Sequence, residues 1–198
     1  MKAPLSEESP ENDPDVLLMR RVGTGDTEAF RELIEAHQLR VIGTVAKMLG
    51  DDTDAEDIAQ QVFLRIWKSA NRYQPTAKFT TWLFKITRNL VFNELRRRKR
   101  HPAIRLEQHE EEKHHETPDA AAVSPASSML DAELQEAIRA AIEELPETQR
   151  MAIVLRRYEE MPYEEIAEVL KLSVPAVKSI LFRARTELRE KLAKYLQG

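Results

Sequence analysis

Apolar positions recur with helical spacing along two stretches of the chain, from about Val16 to Leu95 and again from about Met129. Side chains three and four positions apart share one helix face, so each stretch predicts amphipathic helices around a core. Residues 101–128, between the stretches, hold three prolines, a charged tract and a run of small residues. Such a segment buries too little apolar surface to offset its ordering entropy, which predicts a flexible tether.

The expected fold is therefore all-α, with two small helical domains and a helix-turn-helix in the second. We expect an acidic tail over residues 1–15, a first domain over 16–100, the tether over 101–128 and a second domain over 129–198. At least four helices should precede the tether.

Capping residues and prolines mark several of the expected helix ends. Asp26 or Thr27 can cap a helix in the first domain, because a short polar side chain accepts a hydrogen bond from a free N–H of the first turn. Further helices are expected over residues 54–68, 80–100 and 130–144, from the spacing of their apolar positions.

The last two predicted helices form the most informative pattern. Pro162 opens a short helix that ends near Leu170, and Ser173 is a suitable N-cap for a longer one with Pro175 in its first turn. A short helix, a tight turn and a long helix form the arrangement that places the second helix in the DNA major groove.

A plain helical hairpin with a solvated basic face is the alternative to a DNA reader. Acidic residues, however, gather on the first helix, at Glu164, Glu165 and Glu168, whereas basic residues gather on the second. The candidate DNA contacts of the second helix are Lys178, Ser179, Phe182, Arg183 and Arg185.

Composition supports a helical protein and narrows its chemistry. Of the 198 residues, 42% are hydrophobic, 32% are charged and only 5 are glycine, which is typical of soluble helical proteins. No cysteine is present, so disulfides and thiolate metal sites are excluded. No apolar run approaches the roughly 18 residues that span a bilayer, and the acidic start differs from a signal peptide, so we expect a cytoplasmic protein without membrane insertion.

The net charge of −4 conceals two basic segments. Residues 84–100 carry seven basic side chains and one acidic one, and residues 171–194 carry seven basic and two acidic ones. Because phosphate contacts are local, this distribution favours nucleic-acid binding more than the net charge opposes it.

Five short motifs, taken in order, resemble extracytoplasmic-function sigma factors of bacterial RNA polymerase. They are DAEDIAQQVFLRIW at residues 54–67, FTTWLFKITRN at 79–89, LPE at 145–147, YEEIA at 163–167 and VKSILFRAR at 177–185. The resemblance covers nearly the whole chain, and the order and spacing of the motifs make their joint signal strong.

The resemblance implies that the first domain binds core polymerase and the minus-ten promoter element. Docking on the β′ clamp helices would use Glu56, Asp57, Gln60 and Gln61, with Gln61 standing where a glutamate is common. The loop over 72–78 and the next helix would bind and open the minus-ten DNA, with a flipped base near Asn89 and Trp82 as buried support. The implied minus-ten contacts are Arg72, Tyr73, Lys78, Phe79, Arg88, Asn89, Arg96 and Arg97.

The resemblance also implies that the last long helix reads the minus-thirty-five element. The implied partners are core RNA polymerase, through its β′ and β subunits, promoter DNA and a separate anti-sigma protein. No cofactor, metal or catalytic residue is implied.

Two other functions stay open on the residues alone. An ordinary helix-turn-helix regulator explains the second domain but leaves the first without a role. An enzyme would need a metal held by His101, His109, His114 and His115 with residues 110–112, and a flexible tether does not preorganise such ligands.

Overall fold

The computed structural model describes residues 13–50, 53–100 and 125–196, in which every regular element is a helix. The amino-terminal bundle comprises α1 (Pro14–Gly23), α2 (Thr27–Leu49), α3 (Thr53–Ser69), a 3-10 turn at Ala70–Arg72 and α4 (Phe79–Arg100). The carboxy-terminal bundle comprises α5 (Pro125–Glu143), α6 (Glu147–Arg157), α7 (Tyr163–Leu170), α8 (Val174–Lys191) and α9 (Ala193–Leu196). The all-α expectation and the four helices before residue 101 are confirmed.

The helix α2 begins and ends where polar and glycine signals place its ends. The Asp26 carboxylate accepts hydrogen bonds from the backbone N–H groups of Glu28 and Ala29, both at 3.0 Å. At the other end Gly50 adopts φ 69°, and its N–H donates to the Ala46 carbonyl at 2.8 Å. A left-handed residue stops a helix at low cost when it is glycine.

The helix α1 was not predicted as a separate element. Asp13 caps it by accepting the N–H of Asp15 at 3.0 Å, and Pro14 occupies its first turn. An Asp-Pro pair is a known helix-start signal, but assigning residues 1–15 to an acidic tail hid it. Val16, Met19 and Val22 then bury one face of α1 against α2.

The apolar core is one connected cluster that extends through both bundles. In the amino-terminal bundle α2 packs against α1, α3 and α4, and in the carboxy-terminal bundle α8 packs against α6 and α7. Fully buried side chains include Leu33, Ile66 and Leu83 in the first and Leu155 and Ile166 in the second. Burial on this scale is the main favourable contribution to folding.

The two bundles also lie against each other, with α4 against α7 and α2 against α5 and α6. Arg150 of α6 crosses this boundary, because its guanidinium donates to the carbonyl of Met48 at 2.6 Å and to those of Glu143 and Leu145. Burial lowers the pKa of Arg150. Residues 101–124 of the predicted tether lie outside the described residues, and α5 already begins at Pro125.

Candidate nucleic-acid interface

An aromatic cluster lies at the start of α4, beside the loop that follows the 3-10 turn. The ring of Tyr73 lies 4.8 Å from that of Trp82 and 6.5 Å from that of Phe79, centroid to centroid. Tyr73 and Trp82 are half-buried, whereas Phe79 is 0% exposed. Phe79 therefore supports the loop from within the core, and only the other two rings reach the surface.

The Tyr73 hydroxyl is buried and has no hydrogen-bond partner among the described residues. Burial, with a smaller contribution from the carboxylates of Asp13 and Asp15, raises the pKa of Tyr73 to about 12. The phenol thus stays neutral at physiological pH, and the ring acts as an apolar surface.

The carboxylates of Asp13, the cap of α1, and of Asp15 in its first turn hold this cluster in place, and the sequence patterns did not reveal them. Asp15 pairs with the buried His37 of α2, Oδ2 to Nε2, at 2.8 Å. Asp13 accepts the backbone N–H of Phe79 at 3.4 Å, and the His37 ring lies 5.2 Å from that of Phe79. The amino terminus of α4 is thereby linked to both α1 and α2.

The basic side chains expected to meet minus-ten DNA differ in their surroundings. Arg72 is exposed, and Lys78 forms an ion pair with Glu165 of α7 at 2.9 Å. Arg88 donates to the side-chain oxygen of Asn89 at 2.5 Å and to the Leu170 carbonyl at 3.2 Å. Burial, with a smaller effect from a neighbouring arginine, lowers the pKa of Arg88.

The basic run that ends α4 contains both exposed and structural arginines. Arg96 is exposed, and Arg97 forms a bidentate contact with Glu94 at 2.7 and 2.8 Å. Arg98 turns inward, where it pairs with Asp54 at 2.5 Å and donates to the Leu49 carbonyl at 3.3 Å. A run of like charges in sequence therefore contains one side chain that ties α4 to α2 and α3.

The four residues expected to meet polymerase lie on α3. Glu56, Asp57, Gln60 and Gln61 are all exposed, and their spacing places them on one side of the helix. Within the described ranges none of their side chains forms an ion pair or hydrogen bond. The opposite side of α3 is buried through Ile58, Val62 and Ile66.

The predicted helix-turn-helix is present as α7, a tight turn and α8. Lys171 takes the left-handed position that a glycine often fills, with φ 57°, and the N–H of Leu172 donates to the Ala167 carbonyl at 2.9 Å. Ser173 caps α8 by accepting the N–H of Ala176 at 3.3 Å.

The helix α8 has one buried face and one exposed, basic face. Val177, Leu181 and Ala184 are buried against the rest of the carboxy-terminal bundle. All the predicted minus-thirty-five contacts are exposed, namely Lys178, Ser179, Phe182, Arg183 and Arg185. Phe182 is 71% exposed on this basic face.

Among the described residues no group of three or more metal-binding side chains could hold an ion, and the tether histidines lie outside those residues. None of the helices in the described ranges is long and apolar enough to cross a membrane.

Two known domain families match the chain, one for each bundle. Sigma-70 region 2 matches residues 33–101, a range that contains most of α2 and all of α3 and α4. Sigma-70 region 4 matches residues 135–188, which include the helix-turn-helix. Fold and site together define a sigma-70-type protein with regions 2 and 4.

Curated relatives narrow the class further. The RNA polymerase sigma-H factor of Pseudomonas aeruginosa is 32% identical over 187 residues, covering 93% of this chain and 97% of the relative. The ECF sigma-E factor of Escherichia coli is 32% identical over 180 residues, covering 90% and 94%. The chain belongs to the extracytoplasmic-function (ECF) RNA polymerase sigma factors.

Solved structures share this fold. CnrH in complex with the cytosolic domain of CnrY matches with a TM-score of 0.66 and 25% identity, covering 92% of this chain and 99% of that one. The sigma factor RpoE in complex with the anti-sigma factor NepR from Bartonella quintana matches with a TM-score of 0.64 and 20% identity, covering 83% and 96%.

Family membership decides between the functions that the residues alone left open. Sigma factors are transcription initiation factors without a reaction of their own, so the chain is not an enzyme. The ordinary regulator is also set aside, because region 2 gives the amino-terminal bundle its role.

Proposed function

We propose that this chain directs core RNA polymerase to promoters through three separate surfaces. The exposed side of α3 binds the polymerase, the start of α4 binds and opens the minus-ten element, and α8 reads the minus-thirty-five element. The protein acts in the cytoplasm and is controlled by a separate anti-sigma protein, a partner inferred from family membership.

The exposed basic face of α8 is the observation that carries this proposal. Its cations and polar side chains lie on a helix that follows a tight turn, and the helix is fixed on its other side by a buried apolar stripe. Such a helix fits the major groove, where side chains meet base edges and phosphates. Lys178 and Arg183 are assigned to bases and Arg185 to a phosphate.

The polymerase contact is assigned to α3 because its exposed side is polar, rigid and unpartnered among the described residues. Exposed carboxylates and amides can form charge-assisted and neutral hydrogen bonds with the cations and polar groups of a partner. Glu56 and Asp57 offer charge, and Gln60 and Gln61 offer hydrogen bonds one turn further along.

The minus-ten contact is assigned to the half-buried rings and the cations around the start of α4. A separated DNA strand loses stacking and pairing, so a protein that holds it must supply rings and positive charge. Tyr73 and Trp82 supply ring surface, and Arg72, Lys78 and Arg88 supply charge. Phe79 is assigned to support beneath them, since it is fully buried.

Run-off transcription with core polymerase and a promoter library tests the proposal. Lys178→Ala or Arg183→Ala should weaken promoter binding by about 1–3 kcal/mol and change the preferred base at one upstream position. Arg185→Ala should weaken all promoters alike and reduce the salt slope by about one unit.

The matched control is Arg157→Ala, which removes an exposed arginine of α6 outside the helix-turn-helix. It should leave affinity and preference unchanged. If all three α8 variants behave like this control, α8 does not read the promoter. If the wild-type chain gives no promoter-specific transcript with core polymerase, the proposed function itself is wrong.

A further inference from the structure

The helix α1 contacts both ends of the loop that is proposed to bind minus-ten DNA. This loop comprises residues 73–78, between the 3-10 turn and the start of α4. The match to sigma-70 region 2 begins at residue 33, so α1 lies outside the matched range. The family match by itself therefore assigns no role to α1.

The carboxylate of Asp13 accepts hydrogen bonds from the starts of two helices. One oxygen accepts the N–H of Asp15 in α1 at 3.0 Å, and the other accepts the N–H of Phe79, the first residue of α4, at 3.4 Å. The first N–H groups of a helix have no partner within that helix, so this one carboxylate serves both helices. The carboxy-terminal end of the loop is thereby held by the first turn of α1.

The pair of Asp15 and His37 fixes that turn to α2. The imidazole of His37 is 5% exposed, binds the Asp15 carboxylate at 2.8 Å and lies 5.2 Å from the ring of Phe79, centroid to centroid. Val16, the next residue of α1, is fully buried. The first turn of α1 is therefore anchored directly beside the residue at which the loop ends.

The last residue of α1 meets the other end of the loop. A Cβ atom on Gly23 would lie 3.1 Å from the carbonyl oxygen of Ala70 in the 3-10 turn, which is tighter than most contacts of a Cβ atom. The same carbonyl accepts the N–H of Tyr73, the first loop residue, at 3.1 Å. The lack of a side chain at Gly23 permits this close approach, and a displacement of Ala70 would be passed on to Tyr73.

These two contacts make α1 a brace across the loop. A ten-residue helix is rigid and about 15 Å long, whereas six loop residues can extend to about 20 Å and do not fix the distance between their own ends. Because both ends are held by one packed helix, that distance is set by α1. The half-buried ring of Tyr73 directly follows the first of these ends.

We propose that α1 is a brace that positions the minus-ten loop for promoter opening, with Asp13 and Gly23 as positioning residues at its two ends. This inference rests on the proposed minus-ten role of the loop. A loop that is ordered in advance holds a separated strand without the entropy cost of ordering it during binding. Docking on polymerase and reading of the upstream element use α3 and α8, so neither should require the brace.

The first variant tests the end of the brace at α4. Asp13→Asn leaves one acceptor oxygen for two N–H groups, so one of the two helix starts loses its partner. The matched control is Asp26→Asn at the cap of α2, where a single oxygen already accepts both N–H groups. The control therefore makes the same chemical change in the same bundle and keeps its cap.

The second variant tests the end of the brace at the 3-10 turn. Gly23→Ala places a methyl group against the carbonyl of Ala70. The matched control is Gly43→Ala in α2, where a Cβ atom would meet only the flexible end of Lys47, at 3.5 Å. Both substitutions replace a helical glycine by alanine, so they differ in the contact with the loop and not in the type of change.

Promoter opening is followed with 2-aminopurine in the minus-ten element and holoenzyme in excess over DNA. The limiting rate constant of opening should fall by roughly 3- to 10-fold in Asp13→Asn and in Gly23→Ala, as the loss of a charge-assisted hydrogen bond or a similar displacement predicts. The holoenzyme concentration that gives half of this rate should not change. A general loss of folded protein would have the opposite effect, because it raises that concentration and leaves the limiting rate constant alone.

A second measurement follows the contact itself, without DNA. Hydrogen exchange at the N–H of Phe79 in the free protein should be faster in Asp13→Asn than in the wild type, and unchanged in Asp26→Asn. The brace is overturned if this exchange is unaltered in Asp13→Asn, or if either variant forms holoenzyme and opens promoters at the wild-type rate. It is also overturned if a control is slowed as much as its matched variant.

Failure of the underlying minus-ten assignment would give a different result. The probe is a single-stranded oligonucleotide with the nontemplate minus-ten sequence of a promoter that the wild-type holoenzyme transcribes. If Arg72→Ala and Tyr73→Ala leave binding of this probe to the holoenzyme unchanged, the loop does not bind minus-ten DNA and both proposals are wrong. If these two variants weaken probe binding while Asp13→Asn and Gly23→Ala keep the wild-type opening rate, only the brace is wrong.

Discussion

Replacing Phe79 by leucine tests whether Phe79 is a core residue or a direct DNA contact. Phe79 is the first residue of α4 and is 0% exposed, with the rings of His37 at 5.2 Å and Trp82 at 5.9 Å. Leucine keeps much of the apolar volume but loses the flat ring and leaves a small cavity. The structure therefore predicts a loss of stability rather than a direct loss of base stacking.

The size of the effect follows from the contacts that the ring makes. Aromatic pairs contribute about 0.5–1.5 kcal/mol beyond their buried area, and a partly filled cavity adds about 1 kcal/mol. We expect Phe79→Leu to lower the free energy of unfolding by about 2 kcal/mol. For a chain of this length that corresponds to a fall in Tm of about 4–8 °C.

Two measurements, each made on the wild-type protein and on Phe79→Leu, distinguish the two roles. Thermal and urea unfolding give the stability, and binding of a single-stranded minus-ten oligonucleotide in the holoenzyme, at a temperature where both proteins are folded, gives the affinity. A buried Phe79 predicts an affinity change of less than about 2-fold, whereas loss of a stacking surface would cost about 1–3 kcal/mol per base, or roughly 5- to 150-fold.

Phe182→Leu is the matched control, because Phe182 is 71% exposed on α8. Its stability should change by less than about 0.5 kcal/mol, as is usual for surface positions, while upstream promoter binding weakens. An unaltered Tm in Phe79→Leu, combined with a large loss of oligonucleotide binding, would refute the support role of Phe79.

Two further predictions concern the same bundle. Tyr73→Phe removes a buried hydroxyl that has no partner among the described residues, so stability should stay equal or rise by about 0.5–1 kcal/mol in urea unfolding, and a clear loss would reveal a partner for that hydroxyl. Hydrogen bonds from Arg97, with further contributions from Arg98, hold the pKa of Glu94 below its ordinary value. This stabilisation is present above the pKa of Glu94 in the unfolded state and is lost as the pH falls through its pKa in the folded state. Glu94→Gln should therefore lower the free energy of unfolding by less than about 1 kcal/mol at neutral pH and make it fall less steeply as the pH is lowered. An equally steep fall in both proteins would contradict this prediction.

Local signals predicted much of the fold. Asp26, one of two candidate caps, and Ser173 are confirmed as helix caps, because each satisfies backbone groups within a few residues of itself. The turn of the helix-turn-helix was also found, although Lys171 fills the position that glycine often takes. Such features depend on neighbours in sequence, and a single sequence contains those neighbours.

Features that depend on distant partners could not be predicted in this way. Nothing in the basic run of α4 distinguishes Arg98, which turns toward Asp54, from the exposed Arg96. Phe79 has the same chemistry whether it stacks on a base or fills a core, and only the positions of His37 and Trp82 decide. The spacing of apolar residues shows which face of a helix is buried, but it does not show which residues pack on that face.

The contact between α7 and α4 is the clearest example of a feature that depends on distant partners. The opposite charges of the two helices of the helix-turn-helix were visible in sequence and were interpreted as support for DNA binding by α8. In the structure Glu165 accepts a hydrogen bond from Thr81, 84 positions away, and Glu168 pairs with Lys85, 83 positions away. The acidic residues are therefore more than a counterpart to the basic helix, because they have partners of their own on α4. The charge pattern of the two helices therefore belongs to two surfaces, a basic one on α8 that is exposed and an acidic one on α7 that lies against α4.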